Sequence, residues 1–243
     1  MRFNYNALAL LPLMLLMANT TSSLSVNKAS KRIAITKMLE KASAKVGDNY
    51  VDWNLTVTGL SKQAFNYALK GYHYLLQKNM LHNADVITIV DYSKPSSEKR
   101  LFVLDVIEGK ILFQTLVAHG RNSGYVYAKD FSNTAASLKS SLGFYITADT
   151  YTGTNGYSLK LKGCEKGIND KALERAIVMH GADYATDDFL QHNGYLGRSH
   201  GCPAVPEKIS KEIIDVIKDG SCMFLYYPAK KYTHISKILN SPA

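Results

Sequence analysis

Two kinds of apolar spacing divide the chain. Early on, Ile33, Ile35, Met38, Leu39, Ala42 and Val46 recur at roughly helical intervals, and Gly47-Asp48-Asn49 closes that run. Thr58-Gly59-Leu60-Ser61 then leads into a second helix, for which Ser61 is a good N-cap. Phe65, Ala68, Leu69, Tyr72, Leu75 and Leu76 form its apolar side. From Ala84 onward the spacing shortens to that of strands. Val86 to Val90 is the first. Leu101 to Ile107 and Ile111 to Ala118 predict a hairpin around Glu108-Gly109-Lys110. Gly143 to Tyr151 and Tyr157 to Leu161 predict another, turning over Thr152 to Gly156. Ala176 to His180 reads as a short strand after a helix beginning near Asn169. Pro206 to Asp219 reads as a helix with Gly220 beyond its end, and Met223 to Tyr227 as the last strand. These elements predict a mainly β domain with a few packed helices.

Residues 1–23 have a different character. Arg2 is their only charge, and Ala7 to Met17 is an apolar run interrupted by Pro12. Such a run is too short to span a bilayer, which needs about 20 residues, and it reads as an export signal ending between 18 and 25. No later segment has the length and apolarity to span. The expected organisation is a signal over 1–23, a helical N-terminal attachment over 24–82, a catalytic domain over 83–228 and a C-terminal tail over 229–243. The chain is expected in the periplasm or envelope of a bacterium. A net charge of +9 suits an anionic surface. It does not point to nucleic acid, since no aromatic-basic motif accompanies it. Most of the 16 tyrosines are expected half-buried in sheets, with Tyr184 and Tyr195 the two placed to touch a substrate.

Three cysteines, Cys164, Cys202 and Cys222, are an odd set. In an exported protein that leaves a reactive thiol or an intermolecular partner. Cys164 and Cys222 lie in strand contexts and read as small buried hydrophobes, with a bond between them left open. Cys202 differs, because it lies in Arg198-Ser199-His200-Gly201-Cys202-Pro203, between small residues and just before a helix. His180 ends an apolar strand upstream, in Val178-Met179-His180-Gly181. A thiol nucleophile needs a proton acceptor and amides for an oxyanion. His180 fits the first need. Gly201 lets the backbone approach a carbonyl, with the Gly201 and Cys202 amides free to donate. The grouping of His180, His192, His200 and Cys202 matches no zinc spacing such as paired C-x-x-C or H-E-x-x-H, so neither metal nor cofactor is expected.

Ser199-His200-Gly201-Cys202 after His180-Gly181 resembles the catalytic motif of the L,D-transpeptidases (YkuD-like domains), most nearly the murein L,D-transpeptidase catalytic domain branch. Leu116 to Gly124, Ser140 to Tyr145, Gly156 to Leu159 and Gly197-Arg198-Ser199 carry the likeness further, over roughly 60–228. The resemblance implies a YkuD-like β-sandwich or barrel with peripheral helices. It implies that Cys202 attacks the stem-peptide bond before a terminal D-alanine, forms a thioester and passes the acyl group to an amine of a second stem. In that scheme His180 is the general base, the Gly181 carbonyl holds its ring, and the amides of His200, Gly201 and Cys202 receive the oxyanion, with His200 also lining the pocket. Peptidoglycan stem peptides are the implied partner, and carbapenem-type compounds the implied covalent inhibitors. Where many members carry arginine or asparagine shortly after the cysteine, this chain has Pro203-Ala204-Val205. Arg198 and Arg121 are therefore the candidates for a substrate carboxylate. Ser199, His119, Asn122 and Tyr184 complete the expected substrate-binding set. Water as acceptor (an L,D-carboxypeptidase), transfer to another protein and a non-catalytic peptidoglycan-binding module are the competing readings.

Overall fold

The computed structural model describes Ser30 and residues 50–242. The chain divides into units of 1–45 and 46–243, and the account below concerns the second. The helix expected over 30–46 and the export signal lie outside the described residues, apart from Ser30, which is helical and exposed. No helix among the described residues is long and apolar enough to cross a membrane.

The first long element is α1 (Lys62–Gln77), capped by Ser61, whose hydroxyl accepts the Ala64 amide at 3.0 Å. Its predicted apolar face is buried throughout. The sheet strands are β1 (Val86–Asp91), β2 (Leu101–Asp105), β3 (Lys110–Thr115), β4 (Gly143–Gly153), β5 (Gly156–Gly163), β6 (Val178–Ala182), β7 (Ala204–Pro206) and β8 (Cys222–Tyr226). They form one sheet in the order β3-β2-β1-β8-β4-β5-β6-β7. Two pairings are parallel, β1 with β8 and β6 with β7. The two edges nearly meet. Just beyond β3, the Ala118 amide donates to the Ala204 carbonyl of β7 at 2.8 Å, so the sheet curls into a nearly closed barrel. The chain is mainly β, as expected.

The N-terminal helix packs directly on this sheet. A Cβ on Gly71 would lie 2.0 Å from Phe144 Cζ, so a side chain there would force the Phe144 ring or α1 to move. Phe144 in turn stacks on Phe224 of β8, with centroids 4.2 Å apart. The β4–β5 turn is tighter than expected. Gly153 pairs with Gly156, which leaves Thr154-Asn155 at the tip.

The helix expected from Asn169 does not form, and residues 166–176 are a chain of turns. The cause is local. The buried Asn169 side chain donates to the carbonyls of Leu142 and Phe144, both at 3.0 Å, and accepts the Glu165 amide at 2.9 Å. A side chain committed to three backbone groups favours a turn over a helix. Downstream lie α2 (Asp187–Asn193) and α3 (Glu207–Ile217), which follows Pro206. Residues after 228 add α4 (Lys230–Ile235). Tyr232 and Ser236, in and just after it, donate to the buried Glu165 carboxylate.

Candidate active site

The site lies where β6 runs parallel to β7. His180 pairs with Ala204 and Gly181 with Val205. Cys202 stands two positions before Ala204, and Val178 two before His180. Cys202 lies outside the strand, and its Sγ reaches back to the Val178 amide on β6, which brings the thiol to the strand that carries His180.

The hydrogen bonds define each group's state. His180 Nδ1 lies 2.8 Å from the Gly181 carbonyl. A carbonyl only accepts, so Nδ1 carries the proton and Nε2 keeps a lone pair. Burial lowers the His180 pKa below 6.5, and the Gly181 bond partly opposes that. Cys202 Sγ does not hydrogen-bond His180. It accepts the Val178 amide at 3.5 Å, and its thiol reaches the Ala176 carbonyl at 3.8 Å. Burial raises the Cys202 pKa above 9.0, while the Val178 amide and the Arg175 charge act in the other direction. Both shifts favour the uncharged forms, a thiol at Cys202 and an imidazole at His180.

The motif loop is held by its own serine. Ser199 Oγ donates to the Cys202 carbonyl at 2.6 Å and accepts the Gly201 amide at 3.0 Å. The expectation of a free Gly201 amide is thus not met, because Ser199 occupies it. Nor does Ser199 face outward for substrate, since it is 5% exposed and holds the loop together. The amides of His200 and Cys202 make no hydrogen bond among the described residues and remain open to donate. Gly201 sits at φ +129°, and a Cβ there would come within 2.9 Å of the Lys139 carbonyl oxygen. His200 is exposed.

The predicted substrate-binding residues separate into two groups. His119 is fully buried. Its Nδ1 accepts from the Arg100 guanidinium at 2.8 Å, and its Nε2 donates to the Gly124 carbonyl at 3.3 Å. Burial, then the Arg100 charge, lowers its pKa to about 3. His119 therefore props the 119–124 loop and lines no open site. Asn122 is tied to the Ser137 carbonyl at 3.0 Å. Arg121 is exposed, and its amide donates to the Ser199 carbonyl at 2.7 Å. Arg198 is half-buried with its guanidinium 4.7 Å over the Tyr125 ring, and Tyr125 packs 4.3 Å from Tyr195. Tyr184 is half-buried against Leu196 and Ala204. Burial first, and Cys202 second, push its phenol up to about 12, which places it in the field of the sulfur.

Four contributors were not singled out as site residues by the sequence, although Ser140 lies in a segment that carries the family likeness. Arg100 is fully buried and donates to the Val117 and Lys94 carbonyls as well as to His119. Ser140 Oγ accepts the Gly120 amide and donates to the Gly201 carbonyl at 3.1 Å, joining two loops. Tyr125 carries Arg198, and Arg175 stands beside Gly201. Among the described residues, no group of three or more His, Cys, Asp or Glu is arranged to hold a metal ion. All three cysteines are free thiols.

The nearly closed barrel thus carries His180 on β6 and Cys202 two residues before the adjacent parallel strand β7. The family model described as L,D-transpeptidase catalytic domain matches residues 56–226, and the chain belongs to that family. No protein in a curated collection matches the sequence. Among solved structures, L,D-transpeptidase 3 from Mycobacterium tuberculosis, in complex with a faropenem-derived adduct, is similar at 12% identity and TM-score 0.38, over 59% of this chain and 60% of that one. An L,D-transpeptidase from Mycobacterium smegmatis is similar at 12% identity and TM-score 0.37, over 59% of each chain. The L,D-transpeptidase of Stackebrandtia nassauensis gives 14% identity and TM-score 0.36, over 69% of this chain and 68% of that one. The first two likenesses span about six-tenths of those chains. Membership rests on the family model, not on these distant likenesses.

Proposed function

We propose that the protein is an exported, cysteine-dependent peptidoglycan L,D-transpeptidase, acting in the periplasm or envelope. The Cys202 thiol swings from the Ala176 carbonyl toward His180, whose Nε2 accepts its proton as sulfur attacks the carbonyl before a terminal D-alanine. The developing oxyanion is received by the amides of His200 and Cys202. The carbon–nitrogen bond then breaks, the imidazolium proton passes to the departing D-alanine amine, and a thioester remains. An amine of a second stem attacks that thioester, gives up its proton to His180 and expels the thiol, closing a 3–3 cross-link. Arg198, held by Tyr125, is placed to pair with a stem carboxylate, because a stacked guanidinium is pre-oriented for two bonds.

The observation that carries this reading is the His180 ring. Its proton is fixed on Nδ1 by Gly181, which leaves Nε2 with a lone pair on the strand whose Val178 amide reaches the Cys202 sulfur. The test is incubation with purified disaccharide tetrapeptide. Release of D-alanine with 3–3 dimers is expected from the native chain, and neither from Cys202→Ala. Tripeptide monomers without dimers would reassign the enzyme as an L,D-carboxypeptidase. Turnover surviving in Cys202→Ala would overturn the mechanism, and binding without D-alanine release would leave a peptidoglycan-binding module.

A further inference from the structure

Arg175 makes four hydrogen bonds into one loop. Nη1 donates to the Ser132 carbonyl at 2.7 Å and to Ser141 Oγ at 2.5 Å. Nη2 donates to the Lys139 carbonyl at 2.6 Å and to Ser137 Oγ at 3.3 Å. The loop they hold is costly to hold. Ala136 and Leu138 both sit in the left-handed region, at φ 54° and 55°, without being glycine. The same loop supplies Ser140, which grips the Gly201 carbonyl, and its Lys139 carbonyl borders Gly201. Arg175 is thus fastened to the scaffold directly beneath the motif.

Its charge is also unpaired. All four acceptors are carbonyls or hydroxyls, and no carboxylate pairs with it among the described residues. Nη2 stands 3.3 Å from where a Gly201 Cβ would be. The residues that follow wrap the sulfur: Ala176, left-handed at φ 52°, offers its carbonyl to the thiol, and Val178 its amide. The ionisable groups that interact with that sulfur are Arg175 from the 166–176 turns, Tyr184 from the turn after β6, and Tyr92 after β1, while His180 lies on β6 two residues from the Val178 amide that the sulfur accepts.

We propose that Arg175 is a positioning residue with two tasks: its guanidinium pins the 132–141 loop under the motif, and its uncompensated charge favours the negative sulfur that attacks. The proposal rests on Cys202 as the nucleophile. The electrostatics run the same way, since Arg175 opposes the upward push of burial on Cys202, and Cys202 in turn favours the charged form of Arg175.

The test reads the thiol without substrate. The rate of iodoacetamide labelling at Cys202, followed by peptide mass in the full chain, is measured against pH for native protein, Arg175→Lys and Arg175→Gln. Arg175→Gln should move the midpoint upward and slow labelling several-fold at pH 8, since each pH unit is about tenfold in thiolate. Arg175→Lys should restore most of the midpoint but not the D-alanine release, because an ammonium cannot reproduce the four-bond fork. A folded Arg175→Gln with the native midpoint would overturn the electrostatic task. Should that variant not fold, Ser137→Ala/Ser141→Ala carries the test, since it keeps the charge and loosens the hold. Reduced D-alanine release at an unchanged midpoint supports the pinning task, and native release overturns it. A midpoint shift in a protein that never releases D-alanine would sink the transpeptidase reading alone.

Discussion

His119 and His180 begin from almost the same local sequence, an apolar run ending in His-Gly, and arrive at opposite fates. His180 uses one ring nitrogen on a carbonyl, and the other makes no hydrogen bond among the described residues. His119 has both nitrogens engaged, one by Arg100 and one by the Gly124 carbonyl. Burial disfavours the imidazolium in each. What separates them is how many ring atoms the fold has already committed. A histidine with two partners is a strut, whereas one with a single partner is available for proton transfer.

The sharpest way to break this contrast is His180→Asn. Loss of the base should lower D-alanine release by at least about a hundredfold while the fold persists. Circular dichroism alongside turnover checks it, and a variant near native rate would remove His180 from the chemistry.

The next effect strikes the strut. Arg100 is fully buried, stacks 5.0 Å over Tyr92 and satisfies Val117, Lys94 and His119. Burial lowers its pKa to about 10. Arg100→Met should cost on the order of 3 kcal/mol, because three acceptors lose their donor inside the protein. Urea unfolding should show a lower midpoint, with His180-dependent alkylation of Cys202 retained in the fraction that stays folded.

The smallest effect is in pH. Above about 6.5 both folded and unfolded chains hold His119 neutral, and its full contribution to stability is present. As pH falls below 6.5 the unfolded chain takes up a proton that the folded chain refuses until about pH 3, so stability drops across that window. His180 acts with the same sign. His119→Asn should therefore flatten the acid limb of the stability curve by up to a few kcal/mol, read from denaturant midpoints between pH 7 and 4. An unchanged limb would show that other groups govern acid unfolding.

Much of this contrast lay beyond the reach of the sequence, for physical reasons. Strands with period two, the Ser61 cap and the apolar side of α1 were legible because each depends on neighbours close in the chain. The pairing of Cys202 with His180 was an expectation from a histidine at a strand end and a cysteine between small residues, and the family motif pointed the same way. The roles of Ser199 and His119 were misjudged because polar residues in a conspicuous motif invite a substrate, while their hydroxyl and ring are taken by backbone atoms. The helix expected from Asn169 failed because one amide side chain reaches residues 25 and 27 positions away. Arg100 and Arg175 look like ordinary surface arginines in the sequence. Their positions, Arg100 buried and Arg175 half-buried, follow from carbonyls that converge only once the barrel has curled, and no local pattern announces that.

The carboxylate of Glu165 carries a consequence for the far end of the chain. It is 4% exposed and takes donors from Phe144, Tyr232 and Ser236. Two of those three arrive from beyond the last strand, where Ile238 and Leu239 are also buried. The segment is a clasp that closes over an acid whose other donor is the Phe144 amide. Trimming the polypeptide ahead of Tyr232 would strand that acid in an apolar seam, so a shortened version would fail in folding long before it failed in chemistry.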